Sequence, residues 1–153
     1  MIFVTLGSQK FQFNRLLRAL DELSLDEKIF AQIGYSDYHP KNYEYKEFLD
    51  RVEFSLMMDK SDIVITHGGT GAIMSALKKE KKVIAVPRLA KYGEHVDDHQ
   101  LQLIEQFKDL DLIYSCENMD LENALKTVRN HEYKKYKSNT EKIIKSLEDF
   151  IGE

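Results

Sequence analysis

Cysteine, proline and tryptophan are scarce in this chain of 153 residues, which contains one Cys, two Pro and no Trp. The single cysteine, Cys116, excludes an internal disulfide framework and a cysteine-based zinc site. The 22 Lys and Arg residues do not outnumber the 26 Asp and Glu residues, so the formal net charge is −4. This mild acidity excludes the pervasive positive field of non-specific nucleic-acid binders, and no nucleic-acid partner is expected.

Long apolar segments are missing as well. No apolar run approaches the roughly 20 residues that span a bilayer, and residues 1–6 lack the basic flank of a signal peptide. We therefore expect a soluble, cytoplasmic protein. The hydrophobic fraction of 42% is sufficient for a core, since a domain of this length buries roughly two-thirds of its unfolded surface. Residues 1–153 are predicted to form one domain.

Apolar, β-branched runs alternate with helical patterns along the chain. Strands are predicted at 2–6, 28–33, 44–49, 62–66, 82–86 and 112–114, and helices at 12–23, 52–60, 70–79, 96–108 and 121–129. This alternation predicts an α/β fold: one Rossmann-like domain whose parallel sheet has helices on both faces. A C-terminal amphipathic helix is predicted over 133–151, where Ile143, Ile144, Leu147 and Ile151 share one face.

Three loops that follow predicted strands carry the residues of chemical interest. Ligands of open parallel sheets bind beyond the carboxyl ends of the strands. In the first loop, Gly7 allows a close approach of the backbone to a ligand and Ser8 can donate a hydrogen bond. A tight structural turn explains this glycine equally well.

The second loop reads Thr66-His67-Gly68-Gly69-Thr70-Gly71, between a predicted strand and a predicted helix. Its glycines remove Cβ atoms where a ligand must approach, and the amides at the helix N-terminus favour a phosphate or diphosphate. No Gly-Lys-Ser/Thr follows, so this is not a Walker A loop. The first strand lacks the Gly-x-Gly-x-x-Gly fingerprint, which argues against a nicotinamide-dependent oxidoreductase. A purely structural glycine turn is the alternative.

The third loop leads from Pro87 to Gln100 and into the next predicted helix. Asp98, His99 and Gln100 lie near the first turn of that helix, where they could hydrogen-bond sugar hydroxyls. Ordinary N-capping by an aspartate is the alternative. His95 and His99 have a spacing that would suit a metal, but no third ligand is suitably spaced.

Three segments together resemble the C-terminal half of family 28 glycosyltransferases of the GT-B fold: Val4-Thr5-Leu6-Gly7-Ser8, residues 65–73, and Val86-Pro87-Arg88 through Asp98-His99-Gln100. A chain of this length more closely resembles the small subunit of two-part transferases. These include bacterial capsule and exopolysaccharide galactosyl- or glucosyltransferases, and the eukaryotic enzyme that adds the second GlcNAc to dolichol-linked oligosaccharide. The likeness spans nearly the whole chain.

The resemblance implies that this chain binds a UDP-sugar donor and that a membrane-anchored partner supplies the acceptor side. The acceptor would be a lipid-linked saccharide, and the partner would recruit this chain to the inner face of the membrane. The residues implied near the diphosphate are Gly7, Ser8, Gly68, Gly69, Thr70 and Gly71. Those implied near the uracil are Pro87 and Arg88, and those facing the donor sugar are Asp98, His99 and Gln100.

Two positions bear on whether such a chain is catalytic. Many relatives carry an acidic residue that holds the ribose where this chain has Ser75. A non-catalytic regulatory or enhancer subunit is therefore the alternative to a catalytic one. His67 is the candidate catalytic base, although the base could also belong to the partner. No Asp-x-Asp motif is present, and neither a cofactor nor an obligatory metal is expected, since helix-dipole and backbone donors can stabilise the leaving diphosphate.

Overall fold

Six parallel strands form the central sheet in this computed structural model, which describes residues 1–7 and 10–135. The strands are β1 Ile2–Thr5, β2 Ile29–Gln32, β3 Glu44–Lys46, β4 Ile63–His67, β5 Lys82–Val86 and β6 Tyr114–Ser115. Their spatial order is β3-β2-β1-β4-β5-β6. The direction of strand addition therefore reverses between β1 and β4, and ligands bind at this switch point in open α/β sheets.

Helices cover both faces of the sheet. They are α1 Asn14–Asp21, α2 Arg51–Lys60, α3 Thr70–Lys78, α4 His99–Asp109 and α5 Leu121–Asn130, with a short 3₁₀ helix at Ala90–Tyr92. The helices α1 and α5 pack with the strand residues of one face, and α2, α3 and α4 pack with those of the other. The predicted Rossmann-like α/β fold with helices on both faces is confirmed.

The period-2 alternation of strand side chains divides the core into two layers. In β1, Ile2 and Val4 pack toward α1 and α5, whereas Phe3 packs toward the opposite helices. All three side chains are buried, which is why the strand reads as a continuous apolar run. Both layers end at the carboxyl edge of the sheet, where the polar residues begin.

Several predicted element boundaries were wrong by one to three residues; the third strand, for example, ends at Lys46 rather than at residue 49. The fourth helix begins at His99 rather than at residue 96, because Asp97 accepts a hydrogen bond from the backbone N–H of His99 and Asp98 accepts one from Ala90. Such local side-chain bonds compete with helix formation. The last strand is Tyr114–Ser115 rather than 112–114, because Asp111, at φ +56°, turns the chain after α4.

The C-terminal part of the chain is described as far as Lys135. Tyr133, Lys134 and Lys135 are not helical, and the remainder of the predicted amphipathic helix lies outside the described residues. Within residues 1–7 and 10–135, no helix combines the length and the apolar character needed to cross a membrane.

Candidate functional site

A cleft of about 720 Å³ opens at the carboxyl edge of the sheet, around the switch point between β1 and β4. The predicted site residues that line it are Gly7, His67, Gly69, Thr70, Gly71, Ser75, His99 and Gln100. All three loops singled out in the sequence therefore reach this region. Ser8 lies outside the described residues, and Gly68, Pro87, Arg88 and Asp98 are not among the cleft-lining residues.

The imidazole of His67 lies between two glycines. A Cβ atom at Gly7 would lie 2.5 Å from Nε2 of His67, and one at Gly69 would lie 2.3 Å from Cε1. Gly7 also has φ +72°, in the left-handed region that favours glycine. These two glycines are therefore required by the buried histidine ring, whatever they contribute to ligand binding.

The hydrogen bonds of His67 fix which ring nitrogen carries the proton. Nδ1 accepts a bond of 3.2 Å from the backbone N–H of Gly69, and the side-chain nitrogen of Gln100 lies 3.2 Å from the same atom. Burial, reinforced by the positive charge of Arg88, lowers the pKa of His67 to about 3. The ring is therefore neutral near pH 7 with its proton on Nε2. His67 is therefore placed to donate a hydrogen bond from Nε2. The sequence had suggested that it acts as a catalytic base, which would need an accepting nitrogen.

Gln100 connects the ends of two strands. Its Oε1 accepts hydrogen bonds from the backbone N–H of Gly68 at 3.0 Å and of Arg88 at 3.1 Å. Because Oε1 faces these two donors, the amide nitrogen is directed to His67. Gln100 is only 1% exposed, and these bonds make it a positioning residue of the cleft as well as part of its wall.

Arg88 has a different role from the one the resemblance implied. Its side chain is 1% exposed, and its guanidinium donates to the backbone carbonyls of Leu6 at 2.6 Å, Phe11 at 3.0 Å and Glu94 at 3.3 Å. Burial lowers the pKa of Arg88 to about 10, so it remains charged near neutral pH. Arg88 thus joins the ends of β1 and β5 beneath the surface. Pro87 is buried as well, so the expected uracil contact of these two residues is not supported.

The N-terminus of α3 opens into the cleft. Its N-cap residue, Gly69, supplies no side-chain hydrogen bond, and the first turn contains no acidic residue. The first backbone N–H groups of a helix have no partner within the helix and carry partial positive charge. Thr70, Gly71 and Ala72 line the cleft. A Cβ atom at Gly71 would meet no atom within 4 Å, so an anion could approach this turn closely.

At one end of the cleft, a carboxylate lies between two imidazoles. Oδ1 of Asp97 is 3.2 Å from Nδ1 of His95, and Oδ2 is 3.4 Å from Nδ1 of His99. A hydrogen bond from the backbone N–H of His99 is the main cause that lowers the pKa of Asp97. In the part of the chain that the structure describes, no group of three or more His, Cys, Asp or Glu residues could hold a metal ion.

The other end of the cleft is formed by Gln32, Phe54 and Ser75. Gln32 is 7% exposed, and its Oε1 lies 3.4 Å from the Thr5 hydroxyl. The Ser75 hydroxyl donates to the carbonyl of Gly71 at 2.9 Å. Phe54 packs edge-on against Phe3 beneath it. This end therefore offers an aromatic surface and amide and hydroxyl groups.

Sequence reasoning did not select Thr5, Gln32, Phe54 or Asp97 as ligand-binding residues, and it considered His95 only as a metal ligand. All five residues line the cleft. Thr5 and Gln32 are the last residues of β1 and β2, where a polar residue ends an apolar run. That pattern could have identified both, because strand ends of a parallel sheet meet at one edge. Phe54 has no such signal, since an aromatic residue in a helix is usually part of the core.

This chain is similar in sequence to glycosyltransferases. The model of the glycosyltransferase family 28 C-terminal domain matches residues 1–153. The UDP-N-acetylglucosamine transferase subunit ALG13 of Saccharomyces cerevisiae is 36% identical over 62 residues, which are 40% of this chain and 29% of that protein. The chain thus spans well under half the length of this curated relative.

Two solved structures share the fold. The glycosyltransferase SnogD from Streptomyces nogalater superimposes with a TM-score of 0.61 at 20% identity, over 84% of this chain and 34% of SnogD. The solution structure of ALG13 superimposes with a TM-score of 0.53 at 19% identity, over 84% of this chain and 83% of that one. This chain therefore superimposes on only about a third of the SnogD chain.

Proposed function

This chain belongs to the glycosyltransferase family 28 C-terminal domain family, and from that premise we propose that it is the donor-binding catalytic subunit of a two-part glycosyltransferase. It would transfer a hexose from a UDP-sugar to a lipid-linked saccharide acceptor. The relative named a UDP-N-acetylglucosamine transferase subunit makes GlcNAc the first candidate sugar. Galactose and glucose, with an acceptor in capsule or exopolysaccharide synthesis, are the other candidates.

The observation that carries this proposal is the uncapped N-terminus of α3 at the switch point of the sheet. The donor diphosphate would accept hydrogen bonds from the backbone amides of Thr70, Gly71 and Ala72, with the helix dipole behind them. Since negative charge grows on the diphosphate as the sugar departs, these donors stabilise the transition state more than the ground state. The neutral His67 would add its Nε2–H as a further donor on the same side.

The two ends of the cleft suit the two ends of a UDP-sugar. The aromatic and amide surface of Phe54 and Gln32 suits a nucleobase, and Ser75, one turn along α3, would contact the ribose. The Asp97, His99 and Gln100 end suits the donor sugar, whose hydroxyls need polar partners. The buried Arg88 supports this wall from within, because its backbone N–H donates to Gln100.

The proposed partner is a membrane-anchored subunit that binds the lipid-linked acceptor. Five of the large apolar residues that are exposed lie in loops or first turns at the carboxyl edge: Tyr35, Phe48, Val52, Tyr92 and Val96. A second protein that covers the cleft would bury these side chains, and apolar surface of this kind is typical of interaction sites. The partner would also bring this chain to the membrane and supply the catalytic base, since His67 has no accepting nitrogen left.

One observation favours the alternative, an enhancer subunit without donor chemistry of its own. Ser75 offers only a hydroxyl to the ribose, and that hydroxyl already donates to Gly71. A hydroxyl can still accept a hydrogen bond, so donor binding would be weakened rather than abolished. Binding and transfer assays separate the two functions.

Isothermal titration calorimetry with UDP-GlcNAc, UDP-galactose, UDP-glucose and ADP-glucose tests donor binding by this chain. We expect one UDP-sugar to bind in preference to ADP-glucose. Transfer to a lipid-linked acceptor should then require both this chain and its membrane-anchored partner. Transfer by the partner alone, with this chain only raising the rate and binding no UDP-sugar, would establish the enhancer function instead.

A further inference from the structure

A second cavity opens beside the cleft, along the first helix. It has a volume of about 810 Å³ and lies between α1 and the loop that follows β5. Residues of the segments 10–22 and 92–94 line it, together with Met119. We call it the α1 cavity. The proposed binding of the donor uses none of these residues, so the α1 cavity is available for another ligand.

Two consecutive residues separate the α1 cavity from the cleft. Glu94 lines the α1 cavity, whereas His95 lines the cleft, and the Phe11 ring on the α1 side lies 5.9 Å from the His95 ring. His95 is 3.2 Å from Asp97, at the end of the cleft that suits the donor sugar. Because an acceptor hydroxyl has to reach the anomeric carbon of that sugar, the α1 cavity lies on a side from which the acceptor can approach.

The wall of the α1 cavity carries an exposed aromatic ring that is held in place. Tyr92 is 54% exposed, and the guanidinium carbon of Arg15 lies 4.5 Å from the centre of its ring. Arg15 is itself fixed, since its Nε and Nη2 donate to the two carboxylate oxygens of Glu94 at 3.0 and 2.9 Å. Glu94 is buried and also accepts the backbone N–H of Leu89 at 3.1 Å. A tyrosine ring held in this way offers an apolar surface to the C–H groups of a sugar ring, at little cost in side-chain entropy.

The α1 cavity is also positively charged. Three cations and two carboxylates line it: Lys10, Arg15, Arg18, Glu22 and Glu94. Because Arg15 and Glu94 neutralise each other, Lys10 and Arg18 remain against a single carboxylate. By contrast, no Lys or Arg is among the described residues that line the cleft. An aromatic surface beside excess positive charge suits a ligand that combines a sugar ring with an anionic group.

We propose that the α1 cavity binds a phosphorylated saccharide, the head of the lipid-linked acceptor, while the partner subunit holds the lipid. Tyr92 packs against the sugar ring, and the amide of Gln12 contacts a hydroxyl. Lys10 and Arg18 pair with the phosphate. This inference rests on the proposed function, and it assigns to this chain a part of the acceptor site in addition to the donor site.

Proton–nitrogen correlation NMR of the full chain, titrated with N-acetylglucosamine 1-phosphate, tests the proposal. The titration is made without UDP and again with UDP in excess, which occupies the phosphate positions of the cleft. In both titrations we expect the backbone N–H of Gly93 and the Nε–H of Arg15, which belong to the α1 cavity, to shift. With UDP in excess, the N–H groups of Thr70 and Gly71 in the cleft should not respond to the sugar phosphate. N-Acetylglucosamine and inorganic phosphate, which each supply only part of the contacts, should bind at least about tenfold more weakly.

Two variants with matched controls locate the bound sugar phosphate. Tyr92→Ala should weaken its binding at least about threefold, through loss of the aromatic contact. Arg18→Gln should weaken it at least about fivefold, through loss of a charge beside the phosphate. Tyr45→Ala and Arg129→Gln are the controls, because these residues line neither the α1 cavity nor the cleft, and both should bind as the wild type does. All four side chains are exposed, so each variant is expected to fold.

The results that overturn the inference differ from those that overturn the donor function. An unshifted Gly93, or a wild-type affinity for the sugar phosphate in both Tyr92→Ala and Arg18→Gln, would refute the α1 cavity as an acceptor site and leave donor binding in place. Inorganic phosphate that binds as tightly as the sugar phosphate would refute the saccharide contact. Failure of UDP and of every UDP-sugar to bind would refute the donor function, whereas the response of Gly93 to the sugar phosphate is still measured without UDP.

Discussion

The side-chain nitrogen of Gln100 lies 3.2 Å from Nδ1 of His67, while Oε1 of the same amide accepts two backbone hydrogen bonds. One buried amide thereby sets the proton position of the histidine and joins the loop after β4 to the end of β5. The carboxyl edge of the sheet thus depends on a residue whose side chain is almost fully buried.

Replacing Gln100 by methionine should destabilise the protein, because the buried N–H groups of Gly68 and Arg88 lose their acceptor. An unsatisfied buried N–H costs about 1–3 kcal/mol, so the free energy of unfolding should fall by at least that amount. Urea denaturation measures this loss. Gln102→Met, at an exposed position of the same helix, is the control and should lie within about 0.5 kcal/mol of wild type. Equal stability of the two variants would contradict the linking role of Gln100.

His67 should make the protein less stable as the pH falls. Its pKa is about 3 in the folded protein, whereas an unfolded imidazole titrates near 6.5. Below about pH 6.5 the unfolded chain therefore binds the proton first, and stability decreases by up to about 1.4 kcal/mol per pH unit toward pH 3. Urea denaturation over this range should show a shallower dependence for His67→Asn. Parallel curves for the two proteins would show that His67 is not a buried neutral histidine.

The sequence predicted the four central strands β1, β2, β4 and β5 well because each is a short, largely apolar run with buried side chains. The two edge strands β3 and β6 lack this signal, since β3 is exposed and β6 is half-buried. Ile63–His67 and Lys82–Val86 are the clearest cases. The second glycine loop was predicted as a ligand loop because glycines between a strand and a helix N-terminus have a local physical meaning. Such local signals are sufficient for the fold class and for the centre of the cleft.

Two arrangements could not be predicted from the sequence, one between distant parts of the chain and one within a single loop. Arg88 follows a strand as a ligand-binding residue would, yet it contacts the carbonyl of Leu6, which is far away in the chain. The pairing of Asp97 with two imidazoles depends on the irregular path of the loop before α4, where side-chain hydrogen bonds replace a helical turn. Neither arrangement leaves a periodic pattern in the sequence.

Two glycines of the second loop should respond in opposite ways to alanine. Gly69→Ala would place a Cβ atom 2.3 Å from the His67 ring, and overpacking of this kind costs about 1–3 kcal/mol. Gly71→Ala meets no atom within 4 Å and lies in the first turn of a helix, so it should be neutral or stabilising by up to about 1 kcal/mol. Thermal or urea denaturation compares them. A Gly71→Ala loss as large as that of Gly69→Ala would contradict this packing.

Chelation of divalent metals should leave donor binding by this chain unchanged. The proposed diphosphate ligands are the backbone N–H groups at the start of α3 and the Nε2–H of His67, none of which needs a metal. Calorimetry with the preferred UDP-sugar in EDTA and in magnesium should give affinities within about twofold of each other, far below the tenfold that 1.4 kcal/mol represents. Loss of binding in EDTA would show that a metal bridges the diphosphate and the protein.

Substitution of Gly71 by asparagine or by aspartate tests whether the diphosphate binds at the N-terminus of α3. The two side chains have the same shape, meet no neighbouring atom through their Cβ, and differ in one negative charge beside the proposed diphosphate. The measurement is the affinity for the preferred UDP-sugar by calorimetry near pH 7. We expect Gly71→Asp to bind the UDP-sugar at least about tenfold more weakly than Gly71→Asn, a difference of about 1.4 kcal/mol. Equal affinities of the two variants would contradict this position of the diphosphate.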